Sequence, residues 1–349
     1  MARVKDHRRI GWGVIGCGGI ADKRTIPGMK LSARTRLIGV ADRYPEVAKR
    51  VAQAQQCEAF ASVEAMLRNP DIEAVYIASP VFLHKTHAMQ AADAGKQILL
   101  EKPLGVTLAE CREVAAYCRR KKVRLMPALM MRFHPLHRQL RQWVAGGQLG
   151  RIVQARAQLS HFHVEYNADG SRNWRQDPKK SGGGALMDMG IHCVDLLRVI
   201  TGREIVNVSA RIETLENDYK IEDTGVLLFS FDNGAVGIVD STFAARGAQH
   251  VIELYGTERS VFVENSISQI EEGTWYEATG PIKRKLPYRK RPNYQYAMYT
   301  SEVDEMNRAI MEDDAPAITP RDALIAQAVV QTGYQAAKAG RRLAIPSFR

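Results

Sequence analysis

The chain has 349 residues, 45% hydrophobic and 25% charged, which is ordinary for a soluble globular protein and long enough for two cores. Its net charge of +11 raises the question of a nucleic-acid partner. The densest basic run, Ile282 to Arg291 (IKRKLPYRKR), has a proline inside it and no surrounding aromatic-interleaved module, so it reads as a solvated loop. The five cysteines (Cys17, Cys57, Cys111, Cys118, Cys193) form no C-x-x-C pair and are odd in number, which suits a reducing compartment. No export signal is visible at the start and no apolar run nears the roughly 20 residues of a membrane span, so a cytoplasmic enzyme is expected.

From the N-terminus, short apolar strands (GWGVIG, TRLIGVAD, CEAFAS, AVYIAS, KQILLEK, VRLMPALM) alternate with helical patterns (EVAKRVAQAQQ, SVEAMLRN, HKTHAMQAADAG, LAECREVAAYCRRKK). This rhythm predicts a doubly wound parallel sheet, the Rossmann α/β arrangement, over residues 1–128. Beyond it come a helix (HPLHRQLRQWVAGG), a strand-like RIVQARAQLSHFHV, a Gly-rich helix start at Ser181, and several strands between Glu204 and Glu264. One hairpin turn is signalled by Asn233-Gly234. The closing helix RDALIAQAVVQTGYQAAKAG ends at Gly340. Residues 129–349 therefore predict an α+β domain with an open, mainly antiparallel sheet.

The first strand runs into Gly16-x-Gly18-x-x-Ala21, which fits G-x-G-x-x-[G/A] between a strand and a helix. Gly16 permits the tight turn, and Gly18 lets the backbone approach a pyrophosphate at the helix N-terminus. Gly16, Cys17, Gly18, Gly19 and Ile20 are thus the expected phosphate turn. Asp42 ends the second strand about 20 residues on, where an acid accepts ribose hydroxyls. That acid favours NAD over NADP, while Arg43 beside it keeps NADP open. Glu101-Lys102-Pro103 stands at the carboxyl end of the fifth strand. A lysine there can donate to a reacting oxygen, or it can be an exposed residue that ends a strand.

Within Ser181–Leu197, Asp188 and His192 are four apart and would share a helix face. A metal would need further ligands that do not accompany them, so no metal is expected. Proton transfer, helix capping by Asp188 and a buried structural histidine all remain open on spacing alone. Gly182, Gly183 and Gly184 would permit a close backbone approach to a ligand. Asp195 shares the same helix face and reads as a structural partner. Arg132, after the sixth strand, is a candidate to close over nicotinamide or substrate. His161 and His163, two apart on one strand face, would line a substrate cleft or face solvent.

The ordered set of segments resembles the glucose–fructose oxidoreductase, inositol dehydrogenase and rhizopine-catabolism (Gfo/Idh/MocA) family. It comprises the G-x-G-x-x-A turn, SPVFLHKTHAMQAADAGKQILLEKPL, MRFHP, GQLGRI, NWRQDP, GGGALMDMGIHCVDL and LYGTERSV, and covers nearly the whole chain. The resemblance implies an NAD(P)-dependent oxidoreductase acting on a secondary hydroxyl of a sugar, sugar derivative or cyclitol, in a homo-oligomer built on the open sheet. It implies that His192 takes the hydroxyl proton, that Asp188 holds substrate and supports the histidine, and that Lys102 polarises the reacting oxygen. Histidine suits a base near neutral pH, and a positive group steadies a developing alkoxide. Trp174 and Arg175 match the family's W-R-x-x-P segment and are expected near substrate. Ser79, Pro80 and His84 match its T/S-P-N-x-x-H loop beside the cofactor, with Val81 in place of the asparagine. A redox-neutral enzyme that retains NAD and a non-catalytic sugar sensor are the two rival readings; neither nucleic acid nor membrane is expected as a partner.

Overall fold

A computed structural model of the protein describes residues 8–162 and 173–348. They fall into two compact units. The first comprises residues up to Gly105, Ala109–Met130 and Gln295–Pro320. Its strands and helices alternate: β1 (Ile10–Ile15), α1 (Ile26–Leu31), β2 (Thr35–Ala41), α2 (Pro45–Gln55), β3 (Glu58–Ala59), α3 (Val63–Leu67), β4 (Ala74–Ile77), α4 (His84–Asp93), β5 (Gln97–Glu101), α5 (Leu108–Arg120) and β6 (Leu125–Ala128). The sheet is parallel in the order β3-β2-β1-β4-β5-β6. The order reverses between β1 and β4, and ligands of such sheets bind at the carboxyl ends beside that reversal.

β1 is buried at every position because cover lies directly on its backbone. A Cβ on Gly11 would stand 1.8 Å from the Asp71 carbonyl oxygen, and one on Gly13 would stand 2.9 Å from Met66 Sδ. The expected strand CEAFAS shrinks to the two exposed residues of β3 at the sheet edge, where one neighbour strand gives little to pair with.

The second unit holds Val106–Leu108, the described part of Met131–Tyr294, and residues from Arg321 on. In chain order it has α6 (Pro135–Ala145), β7 (Ile152–Gln158), α7 (Pro178–Ser181), α8 (Ile191–Thr201), β8 (Ile205–Glu213), β9 (Thr224–Phe231), β10 (Val236–Thr242), β11 (Val251–Gly256), β12 (Ser260–Glu264), β13 (Thr274–Ala278) and β14 (Arg284–Leu286). After α9 (Ala297–Met311) come α10 (Pro320–Ala339) and β15 (Leu343–Ala344). The nine strands run β14-β13-β12-β11-β7-β10-β9-β8-β15, with only β7–β10 parallel.

One face of this sheet is covered. Leu227, Phe229 and Phe231 of β9 are buried while the alternate residues Val226 and Leu228 are exposed, the period of two that a half-buried strand requires. Gly333 lets α10 close on β9, since a Cβ there would lie 2.6 Å from Leu227. α8 is buried almost all round, including its polar residues His192, Asp195 and Arg198. The hairpin at Asn233-Gly234 forms with positive φ at Gly234 alone, so it is wider than a two-residue turn with two left-handed positions.

Two boundaries differ from the sequence expectation. The stretch Gln295–Pro320 belongs with the parallel sheet rather than with the second half. α9 docks there because Gly28 of α1 has no side chain to hold Tyr299 away, a Cβ being only 2.9 Å from that of Tyr299. Buried polar bonds fix it: Trp12 Nε1 donates to Asn307 Oδ1 at 2.9 Å, Asn307 Nδ2 donates to Thr35 Oγ1 at 2.8 Å, and Ser32 Oγ donates to Asp304 at 2.6 Å. The basic run is also not a plain loop, for Arg284–Leu286 is an edge strand on β13, and basic residues suit an exposed edge. Arg284 pairs with Glu277, Arg291 Nε donates to buried Glu271 at 2.5 Å, and Lys283 Nζ lies 3.8 Å from the Phe262 ring centroid. None of the described helices is long and apolar enough to cross a membrane.

Candidate functional site

In the first unit, Gly16 has φ +79° and a Cβ on it would stand 2.5 Å from the Ser79 nitrogen. Both the backbone conformation and the approach of the loop after β4 therefore demand glycine. Gly18 differs, its nearest neighbour being Val47 at 3.7 Å, so its outer side has room for a phosphate. The motif opens a helix at Gly19 that widens into a π turn over Ala21–Thr25 and runs into α1. Asp42 is tied to this turn. One carboxylate oxygen accepts from Cys17 N–H at 3.0 Å, the other from Tyr44 N–H at 3.0 Å. Each oxygen keeps a second lone pair for a ribose hydroxyl, so these residues fit a dinucleotide. Arg43 is exposed beside the Tyr44 ring, at 5.7 Å. Burial pushes the Cys17 thiol up to about 12, which keeps it protonated.

Lys102 follows β5, and its own N–H donates to Glu101 Oε2 at 3.1 Å. Glu101 Oε1 accepts from Tyr76 OH at 2.5 Å, and that hydroxyl accepts from Thr25 Oγ1 at 3.1 Å. Glu101 was expected to bind cofactor; these bonds tie its carboxylate to β4 and, through Tyr76, to the π turn. Glu302 of α9 is buried near it, and burial together with the Glu101 charge pushes its acid well above the ordinary range. The Lys102–Pro103 peptide is cis. Ser79 Oγ bonds His87 Nδ1 at 2.9 Å, and Pro80 leads into a short turn whose Val81 is buried. The apolar residue at that position thus packs inward. His84 is buried, with Nδ1 2.8 Å from the Pro103 carbonyl and Nε2 2.8 Å from the Ser79 carbonyl. Burial pushes its pKa down to about 4, against the pull of the two carbonyls.

In the second unit, the glycines before Asp188 do different work from that expected. A Cβ on Gly182 would lie 2.6 Å from the Val106 carbonyl oxygen, one on Gly183 2.1 Å from Tyr334 OH, and one on Gly184 1.8 Å from the Glu222 carbonyl oxygen. What a Cβ would meet at each of them is the protein's own backbone and side chains. Gly184 N–H donates to Glu222 Oε2 at 2.8 Å, Leu186 N–H donates to Oε1 at 3.0 Å, and Tyr334 OH donates to Oε1 at 2.7 Å. Glu222 is thus an acceptor for the helix start, the role the spacing left open for Asp188. Burial holds its carboxyl above the ordinary range against these donors.

Asp188 lies in a second π turn, Leu186–Gly190, and His192 in the first turn of α8. Their four-residue spacing therefore spans a widened turn, a feature frequent at functional sites. Asp188 is half-buried and His192 buried. Leu186 fixes this turn on the sheet, since Gly225 of β9 leaves its side chain no Cβ to meet.

Arg132 does not take the place expected of it. Nε donates to Asp195 Oδ2 at 2.7 Å and Nη2 to Asp195 Oδ1 at 2.5 Å, while Nη2 also stands 3.0 Å from Asp322. Such a fork, with Asp195 2% exposed, makes Arg132 a brace between α8 and α10 rather than a clamp on cofactor or substrate. His161 lies three residues beyond β7, which ends at Gln158, although its N–H still donates to the Thr242 carbonyl of β10 at 3.0 Å. It is exposed, with its ring 5.6 Å from Phe243. His163 lies outside the described residues. Trp174 and Arg175 form a short turn in which the guanidinium covers the indole at 4.7 Å.

Two family models match. The oxidoreductase family with an NAD-binding Rossmann fold matches residues 10–129, and the GFO/IDH/MocA C-terminal domain matches residues 137–262. The chain belongs to the Gfo/Idh/MocA oxidoreductase family. Among the relatives is the pig trans-1,2-dihydrobenzene-1,2-diol dehydrogenase, 32% identical over 296 residues and 82% of each chain. Another is the 1,5-anhydro-D-fructose reductase of Ensifer adhaerens, 27% identical over 288 residues, 82% of this chain and 85% of that one. The aldose-aldose oxidoreductase of Caulobacter crescentus shares the fold with a TM-score of 0.88 at 24% identity, covering 97% of this chain and 100% of that one. The WlbA dehydrogenase of Bordetella pertussis, solved with NADH and UDP-GlcNAcA, has a TM-score of 0.83 at 25% identity, over 98% of this chain and 100% of that one. The protein is therefore an NAD-binding oxidoreductase of this family.

Sequence reasoning missed Glu222, Tyr334, Tyr76 and Glu302. The first had a faint signal in the adjacent acids Glu222-Asp223 just before an apolar strand. The others are residues whose partners come from distant parts of the chain.

Proposed function

We propose that the protein oxidises a secondary hydroxyl of a sugar, sugar derivative or cyclitol, or reduces the corresponding ketone, with NAD as the favoured cofactor and NADP open. The observation that carries this is the Asp42 carboxylate fixed on the glycine turn, in a chain that retains Lys102, Asp188 and His192. His192 accepts the hydroxyl proton, Asp188 holds substrate and keeps the imidazole oriented, and Lys102 steadies charge on the reacting oxygen. A bound nicotinamide would supply the acceptor for the hydride that leaves the carbon. Trp174 and Arg175 contribute to holding the polyol. The names of the relatives, a diol dehydrogenase and an anhydrosugar reductase among them, support this substrate class.

We also propose a homo-oligomer. The face of the large sheet opposite the helices exposes Val153, Val206, Val226, Leu228 and Val236 on four adjacent strands, an apolar patch of the kind that marks self-association. Light scattering on Leu228→Lys should then give a smaller species than the parent protein.

The test of function is incubation of the purified protein with NAD or NADP and a panel of sugars, glycosides and inositols, following absorbance and products together. Lys102→Ala and His192→Ala should each lower turnover by orders of magnitude with cofactor affinity little changed. Unchanged turnover refutes the roles given. Products formed without net absorbance change identify a redox-neutral cycle instead, and binding without turnover identifies a sensor.

A further inference from the structure

The ring of His84 links two loops that the sheet itself leaves unjoined. β4 and β5 pair through Ile77 and Leu100, and no further pair between them follows. Two residues past that point on one side is Ser79, and three past it on the other is Pro103. Nε2 of His84 meets the first carbonyl and Nδ1 the second, each at 2.8 Å, with the ring only 2% exposed. Ser79 in turn abuts Gly16 in the phosphate turn, so closely that glycine is required there. Pro103 is bonded to Lys102. One flat, rigid side chain with polar atoms on opposite edges therefore runs from the cofactor's turn to the residue beside the lysine.

We propose that His84 is a positioning residue for Lys102. It sets where the lysine leaves the backbone relative to the turn that anchors the dinucleotide. This rests on the role given to Lys102 above. The ring spans the gap between the two carbonyls; as a neutral imidazole it donates its single N–H to one of them while its other nitrogen lies against the second. An aliphatic side chain would remove the one donor that the ring supplies to this pair of carbonyls and the flat spacer between them, and a glutamine could span them only with a flexible stem. Displacing a reacting group by about 1 Å can cost on the order of 100-fold in rate, so a loosened clamp should slow the chemistry without weakening cofactor binding.

The test compares the parent protein with His84→Leu and His84→Gln, both as full chains, with NADH as the probe. Reductive methylation of Lys102 is followed by peptide mass spectrometry with and without saturating NADH, and NADH affinity is read separately by fluorescence titration. In the parent protein NADH should shield Lys102 several-fold. In His84→Leu the shielding should be largely lost at nearly unchanged affinity, with His84→Gln intermediate. On the best compound of the substrate panel kcat should fall with KM for NAD unchanged. Equal shielding in parent and variants overturns the clamp alone. Absence of shielding in the parent overturns the role of Lys102 and the clamp with it. Loss of NADH affinity that accounts for the lost shielding shows that His84 serves the cofactor turn and overturns the proposal, as does failure of both variants to fold.

Discussion

Glu222→Gln changes one atom under the helix start that carries Asp188. The carboxylate, 7% exposed, receives three donors on two oxygens: Gly184 N–H on one, Leu186 N–H and Tyr334 OH on the other. An amide has the same shape but only one oxygen. Its better orientation keeps the two-donor side and turns NH2 against Gly184 N–H. That exchanges a charge-assisted bond, worth about 1.5–3 kcal/mol, for a buried N–H with no acceptor. Part of this cost is offset because the amide has no charge to desolvate, and burial already holds the Glu222 acid above its ordinary range. The net expectation is about 2 kcal/mol of lost stability, or roughly 4–8 °C in melting temperature for a unit of this size. Urea and thermal unfolding followed by tryptophan fluorescence measure it, with Tyr334→Phe as a partner that removes one donor and should cost about half as much. If Glu222→Gln melts with the parent protein, the carboxylate is not what holds the helix start, and the reasoning fails. Under the function proposed above, the same variant should also slow turnover more than it weakens NAD binding, because the helix start moves and the phosphate turn does not.

Gly184→Ala should be more damaging than any surface Gly→Ala change, because its Cβ would meet the Glu222 carbonyl oxygen at 1.8 Å; a soluble variant with parental melting would contradict the packing described. His134 caps α6, its Nδ1 accepting from Leu136 N–H at 3.1 Å and its Nε2 donating to the Glu272 carbonyl at 2.8 Å, a pattern only the neutral ring can make. Burial lowers its pKa to about 4. The folded state therefore binds this proton less readily than the unfolded state. The contribution is complete above the unfolded value near 6.5 and is lost as pH falls towards 4, about 2 kcal/mol by pH 5. His134→Asn keeps a capping acceptor without the titration, so the stability gap between parent and variant should close by that amount between pH 7 and pH 5; parallel pH curves would rule it out. Asp42→Ala should relax the preference for NAD over NADP, and an unchanged ratio of the two dissociation constants would show that this acid does not read the ribose.

Local chemistry wrote much of this protein plainly. Alternation of apolar strands with amphipathic helices specifies a parallel sheet because each strand must be covered on both faces, and Gly16 with Asp42 mark its phosphate turn because few other residues satisfy that backbone and that ribose. The observed order β3-β2-β1-β4-β5-β6 is one of the doubly wound orders that those patterns admit. Asp188 and His192 were visible as a pair, but the π turn between them was not, since hydrogen-bond register inside a helix leaves no periodic trace in so short a segment.

What the chain alone could not reveal depends on contacts between distant residues. Arg132 read as a candidate to close over nicotinamide or substrate until Asp195 and Asp322, on two other helices, were seen to take its guanidinium. The glycine run read as room for a substrate until Glu222, Tyr334 and Val106 were found to fill that room. α9 read as part of the second half until Gly28 and Asn307 drew it onto the first sheet. Sequence by itself determined the period of each element and the turns that need glycine, because those are set by neighbours along the chain. Tertiary structure alone decided which polar groups meet, because a buried donor or charge is governed by whichever acceptor the fold brings to it.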